Sequence, residues 1–284
     1  MDKGAPFDHD VTSTLVGAED GRLSQREQAA TTWLSYLDSV ITCAEAIAKT
    51  ASIKGDDARL LAACLFARSI STTRAVVRLI GLDHVVETRM LARSIFENEF
   101  YLYRLARDDG SAFAREMQAD EAYHHRGLGR AIEATGGERR SRVQEIINWS
   151  LQKSPNAKPL TPRAAISGSE IRDAYVFYKQ LSFDAGHPSI TALKRHFIES
   201  TGNEGLSLKP QIKDGEVMDT AFLASMALLG GCIAANDDSA GRPAARDSRG
   251  WLQNITRWQR DRRQHSMGTA HLAPSSESHT RPSA

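Results

Sequence analysis

An all-α fold, a single bundle of about eight to nine helices, is what this sequence predicts, on three observations. Apolar residues recur three and four positions apart in one block after another. No run alternates between apolar and polar as a half-buried strand does. Clusters of glycine, proline and aspartate cut the chain into pieces of helical length.

Taken in order, residues 1–23 are polar and without period, and read as a disordered arm. Trp33, Leu34, Leu37, Val40, Ile41, Ala44 and Ile47 mark a long amphipathic helix from Ser24 to about Ser52. Gly55-Asp-Asp restarts the chain. A second helix then carries Leu60, Leu61, Cys64, Leu65, Ile70, Val76, Val77 and Ile80, with Gly81 as its stop. The third spans about His84 to Ala106, with Val85, Met90, Leu91, Ile95, Phe96, Phe100 and Leu102 as its core face. A more polar fourth helix runs from Phe113 to about Ala134, and a fifth from about Glu138 to Gln152.

Ser154 to Gly168 holds three prolines and reads as a mobile loop. Ser169 is placed to cap a sixth helix, with Glu170 in its first turn. Gly186 ends that helix, and Pro188 opens a short seventh running through about Glu199. Leu206-Ser-Leu-Lys-Pro is a candidate extended piece. Val217 to Ala235 is apolar nearly all round, which suits the centre of a bundle, and Ala227, Gly230, Gly231 and Ala234 would let a neighbour approach closely. The bundle domain is therefore set at 24–240. An arginine-rich amphipathic helix follows at 241–261 and a disordered tail at 262–284.

Composition narrows the function classes. Charged residues make up 25% of the chain but the net charge is only +1, so no global pull toward nucleic acid or a membrane exists. Arginine accounts for 27 of the 36 basic residues, a bias that favours planar contacts to carboxylates or phosphates. The three cysteines, Cys43, Cys64 and Cys232, show no paired spacing and read as buried thiols of a cytoplasmic protein. The N-terminus shows no apolar leader. No phosphate loop, dinucleotide fingerprint or nucleophile elbow is present, and no cofactor is implied.

Chemistry concentrates on two stretches. On the third helix Arg89, Arg93 and Glu97 share one face, continued by Tyr101, within strongly apolar surroundings. On the sixth helix Ile171, Tyr175, Tyr178 and Ser182 form one stripe, and His187 follows between Gly186 and Pro188. If the stripe packs on the third helix, its hydroxyls meet Arg93 and Glu97. The outcome is either a buried network that locks two helices or a pocket with a rigid, neutral imidazole.

Arg93-Ser-Ile-Phe-Glu97 and Tyr178-Lys-Gln-Leu-Ser182, followed by His187, resemble a bacterial family of all-helical proteins of unknown function marked by R-S-x-x-E and Y-x-x-L-S-x-x-x-H. The resemblance covers roughly residues 60–235. It implies a helical bundle and the helix pairing above, and it carries no settled activity. A distant analogy is to HEPN-type helical ribonucleases with an R-x(4–6)-H element, a spacing met at Arg78…His84 and Arg260…His265.

Two functions follow as expectations. The first is a non-catalytic module binding a partner protein or small ligand, the cluster serving as a lock. The second is a metal-independent enzyme cleaving phosphoesters in RNA. In it His187 is the general acid/base, Arg93 stabilises phosphate charge, Tyr178 and Ser182 orient the groups, and Glu97 fixes Arg93. A weaker third is a metal site built on Glu121-x-x-His124 and Asp184-x-x-His187. The stretch Arg242–Arg263, with seven arginines, two aspartates and Trp251, Ile255 and Trp258 on one face, offers a surface for nucleic acid or an acidic partner. A homodimer is compatible with all of these.

Overall fold

Helix follows helix through the described part of the chain, which in this computed structural model comprises residues 31–50, 57–135, 140–183, 188–200, 203–208, 210–213 and 215–240. The arm, the arginine-rich helix at 241–261 and the tail expected from the sequence lie outside these residues. Helix α1 occupies residues 31–50, α2 Asp57–Ile80, α3 Val85–Leu105, α4 Gly110–Ala134 and α5 Arg140–Lys153. Short helices α6 (Pro162–Ala165), α7 (Tyr175–Leu181) and α8 (Ile190–Leu193) follow, and α9 covers Glu216–Ala240. The protein is all-α, as its periodicity predicts.

The core is the packing of α3 between α2 and α9, with α1 added beside α9. Phe96, Phe100, Ile95 and Leu102 of α3 are fully buried, as are Val76 and Thr73 of α2 and Leu228 of α9. Trp33 of α1 meets Phe222 of α9 edge to face at 5.8 Å, and the Arg74–Glu45 ion pair ties α2 to α1. Two helices, Asp57–Ile80 and Glu216–Asn236, are long and apolar enough to cross a membrane by length and composition. For α9 the neighbours supply the apolar surroundings, since 61% of that window is buried. Its small residues work as expected. A Cβ on Gly230 would lie 2.0 Å from Glu99 Oε1, and one on Gly231 would touch Leu102 and Phe66.

The turn between α3 and α4 is equally tight. A Cβ on Gly110 would stand 2.1 Å from the Leu105 carbonyl oxygen, so α4 begins three residues earlier than its apolar pattern indicates. On the other side of α4, Gly129 admits Ile147 of α5.

Gly81 follows the last residue of α2, as expected, and the left-handed residue of the turn is Asp83, at φ 61°, a conformation aspartate tolerates better than most residues. Several other expectations are corrected. Leu60 and Met90 are exposed rather than core, and of the cysteines only Cys232 is buried. Ser169 does not cap a helix. Its hydroxyl donates to the Ile166 carbonyl, and α7 starts at Tyr175 after a 3-10 turn at Arg172–Ala174. Pro188 precedes the next helix rather than opening it, because Ser189 is the N-cap and accepts from Ala192 N at 3.1 Å.

That helix stops at Leu193 and passes through a 3-10 turn into an antiparallel hairpin, β1 (Phe197–Ser200) with β2 (Asn203–Leu206). The strands pair from Phe197 with Leu206 to Ser200 with Asn203, where the sequence reading had carried the helix through about Glu199. The segment 154–168, expected as a mobile loop, is held to α4 at its start and its middle. Arg126 donates to the carbonyls of Ser154 (3.4 Å) and Pro155 (3.1 Å), while Asp120 accepts from Leu160 N at 2.7 Å.

Glycine substitutions in α4 test this packing. Gly110→Ala is expected to cost about 2–3 kcal/mol or more, because the methyl group meets backbone that cannot move aside. Gly127→Ala has open space around its Cβ and is expected to stabilise by up to about 1 kcal/mol through helix propensity. Denaturant melts of the two variants against wild type read both signs.

Candidate functional site

The polar face of α3 is built on a four-residue repeat, so Arg89, Arg93, Glu97 and Tyr101 rise along one side of a helix whose other side is core. α7 docks on that side. Phe177 stacks on Phe96 at 6.0 Å and Tyr178 meets Phe100 at the same distance, which fixes where α7 hydroxyls fall. The result joins four of the five residues singled out from the sequence. Arg93 Nε donates to Ser182 Oγ at 2.8 Å, and Arg93 Nη2 donates to Tyr178 Oη at 2.7 Å. The guanidinium also lies over the Tyr178 ring, 4.8 Å from its centroid.

Ser182 Oγ passes its own proton to the Tyr178 carbonyl at 2.7 Å, so its lone pairs remain for Arg93. At Ser182 and Phe183 the helix widens into π geometry, which marks an inserted residue in the turn that holds the serine. Glu97 is a looser partner, 3.9 Å from Arg93 Nη2. Arg93 and Glu97 remain 27% and 33% exposed while Tyr178 and Ser182 are buried. A charge is thus held rigidly by neutral hydroxyls at the edge of solvent. His187, with Asp184 and Gly186, lies outside the described residues. Phe183 to Gly186 also place four residues between Ser182 and His187, where the motif has three.

The two ends of the polar face continue differently. At the C-terminal end, Tyr101 has its phenol pushed well up, by burial first and then by Glu97, Asp120 and Tyr178. Asp120 brings α4 and its clamped loop to this end, and beside it Glu116, Ala119 and residues 154–160 line a surface pocket of about 480 Å³. At the N-terminal end, Arg89 is buried with Glu216 and Arg195 in a triad that the sequence reading missed. Arg195 grips the Glu216 carboxylate with both terminal nitrogens, Nη1 to Oε2 at 2.8 Å and Nη2 to Oε1 at 2.5 Å. Arg89 Nε lies 3.4 Å from Oε1, Lys213 N donates to Oε2 at 3.0 Å, and Arg89 Nη1 donates to Thr220 Oγ1 at 3.2 Å.

Burial acts to raise the Glu216 carboxyl. The hydrogen bonds from Arg195 and Lys213 and the charges of both arginines outweigh it and hold the group below the ordinary carboxylate range. A second missed cluster pins the start of the α7 segment: Tyr103 donates to Glu170, and Arg107 Nη1 reaches both, at 2.7 and 3.0 Å. There the Tyr103 phenol is pushed up to about 12, by burial and then by its bond to Glu170. The signal for the triad was faint. Arg195 and Glu216 sit in polar stretches, and only Arg89, in an apolar helix, invited a partner.

The α4 candidates do not converge. Asp120 lies 3.4 Å from His124 and Glu121 3.7 Å from His125, each pair one turn apart and each histidine well exposed. Among the described residues no three His, Cys, Asp or Glu side chains gather as a metal would require.

The triad and the seam are expected to respond differently to truncation. Glu216→Ala takes the shared carboxylate from two buried guanidinia and is expected to cost about 3–5 kcal/mol, against about 1–2 kcal/mol for Arg93→Ala at the solvent edge. Because the Glu216 carboxyl is lowered in the fold, its contribution is full above the ordinary carboxylate range and is lost as pH falls through the lowered value. Wild-type stability should therefore drop in acid more steeply than that of Glu216→Gln, as followed by denaturant melts across that range.

No curated protein and no solved structure matches the chain. Residues 59–205, just over half of its length, match a family model, and the span holds Arg93, Glu97, Tyr178 and Ser182 together with most of α2 through most of β2. The chain is a member of the Family of unknown function (DUF5677).

Proposed function

We propose that the protein is a binding module in which Arg93 receives an anionic group, a carboxylate or phosphate, of a small ligand or partner protein. The observation that carries this is the incomplete neutralisation of Arg93. Its close partners are the hydroxyls of Ser182 and Tyr178, and the Glu97 carboxylate stands off at 3.9 Å. Among the described residues Nη1 makes no hydrogen bond, so one edge of a planar fork is left for an incoming oxygen. Tyr178 holds the plane by its ring face and its hydroxyl together, so little side-chain entropy remains to be lost on binding. Glu97 tunes the site against indiscriminate anion capture and supplies an acceptor for a donor beside the anion.

Titration with inorganic phosphate and with acetate, followed by amide shifts on α3 and α7, tests the reading. Wild type is expected to saturate, and Arg93→Lys to bind at least tenfold more weakly, because a point charge cannot replace the fork. Equal binding by the two proteins would remove Arg93 from the site. Cleavage of RNA or single-stranded DNA in the presence of chelator, lost in both His187→Ala and Arg93→Ala at unchanged Tm, would replace the binding reading with the enzymatic one.

A further inference from the structure

On the apolar side of α3, Glu99 has its carboxyl at the centre of the bundle. The residue is 2% exposed, and neither carboxyl oxygen has a hydrogen-bond partner among the described residues. Its Oε1 occupies the space beside Gly230 that any other residue of α9 would fill with a Cβ, so the side chain is pressed onto bare helix backbone. The groups around it give no counter-charge. The charged residues of α2, Asp57, Arg59, Arg68, Arg74 and Arg78, all lie on its exposed side.

Between Thr220 and Cys232, α9 carries no charged residue, and Cys232 is the one titratable group there. On α3 itself Glu97 faces the α7 seam and Tyr103 is turned to Glu170. Nearby hydroxyls are already committed: Ser225 donates to Ala221 and Thr73 to Ser69. A carboxylate in such a place forfeits its hydration without compensation, whereas a neutral acid forfeits far less. Burial alone accordingly pushes the group well above the ordinary carboxylate range.

We propose that Glu99 is a proton-operated latch between α3 and α9. With the proton on, the carboxyl seats against Gly230 and the two helices close. With the proton off, the anion has no counter-charge to receive it, and α9 parts from α3 far enough to admit water. The sign follows from linkage. The folded chain holds the proton more tightly than the unfolded chain, so stability is full below the ordinary carboxylate range and is lost as pH rises toward the raised folded value.

Infrared spectroscopy and pH-dependent melting of the full chain test the latch. Just above the ordinary carboxylate range wild type should show the carbonyl stretch of a buried protonated acid, and Glu99→Gln should lack it. From the ordinary carboxylate range up to the raised folded value the wild-type folding constant should fall about tenfold per pH unit relative to Glu99→Gln, with α9 amides exchanging correspondingly faster. Absence of the protonated band from wild type, or parallel pH profiles for the two proteins, would overturn the proposal. Should the glutamine variant fail to fold, Glu99→Met supplies the pH comparison, and the wild-type infrared band decides independently of either variant.

Discussion

One constraint shapes everything described: α3 must carry charge into the middle of the molecule on two sides and still pack as a core helix. Phe96, Phe100, Ile95 and Leu102 bury the helix. Between them Arg89, Arg93 and Glu99 bring ionisable groups to places where water does not follow freely. Each is handled by a different device. Arg89 is shared with a second arginine around a single carboxylate, Arg93 is handed to two hydroxyls and a ring face, and Glu99 keeps its proton. The surrounding elements are placed by these solutions. α7 lies where its hydroxyls meet Arg93, α9 begins where Glu216 meets Arg89, and α9 crosses α3 where a glycine leaves room for Glu99.

Much of this was legible in the sequence, because helical periodicity is a local signal and the long helices obey it. The seam between α3 and α7 was legible too. Arg93 and Glu97 are conspicuous within an apolar helix, and Tyr178 and Ser182 share a face at four-residue spacing. The small residues of α9 announced a close approach, though not that a carboxyl would fill it.

What escaped was set by distance along the chain or by competition between local signals. The triad unites residues 89, 195 and 216, and nothing near any one of them names the other two. Phe197–Ser200 pairs with Asn203–Leu206 as antiparallel strands, and such pairing depends on the partner strand rather than on the local spacing that suggested a helix.

The triad also bears on how much chain makes one cooperative unit. The family match ends at residue 205, before α9 begins at Glu216. A fragment trimmed to the matched span would keep Arg89 and Arg195 and lose the Glu216 carboxylate that both contact. It would also uncover the side of α2 and α3 on which α9 lies. Taking a shared carboxylate from two buried arginines and baring an apolar face both cost stability, so the folding unit extends past the segment by which the family is recognised.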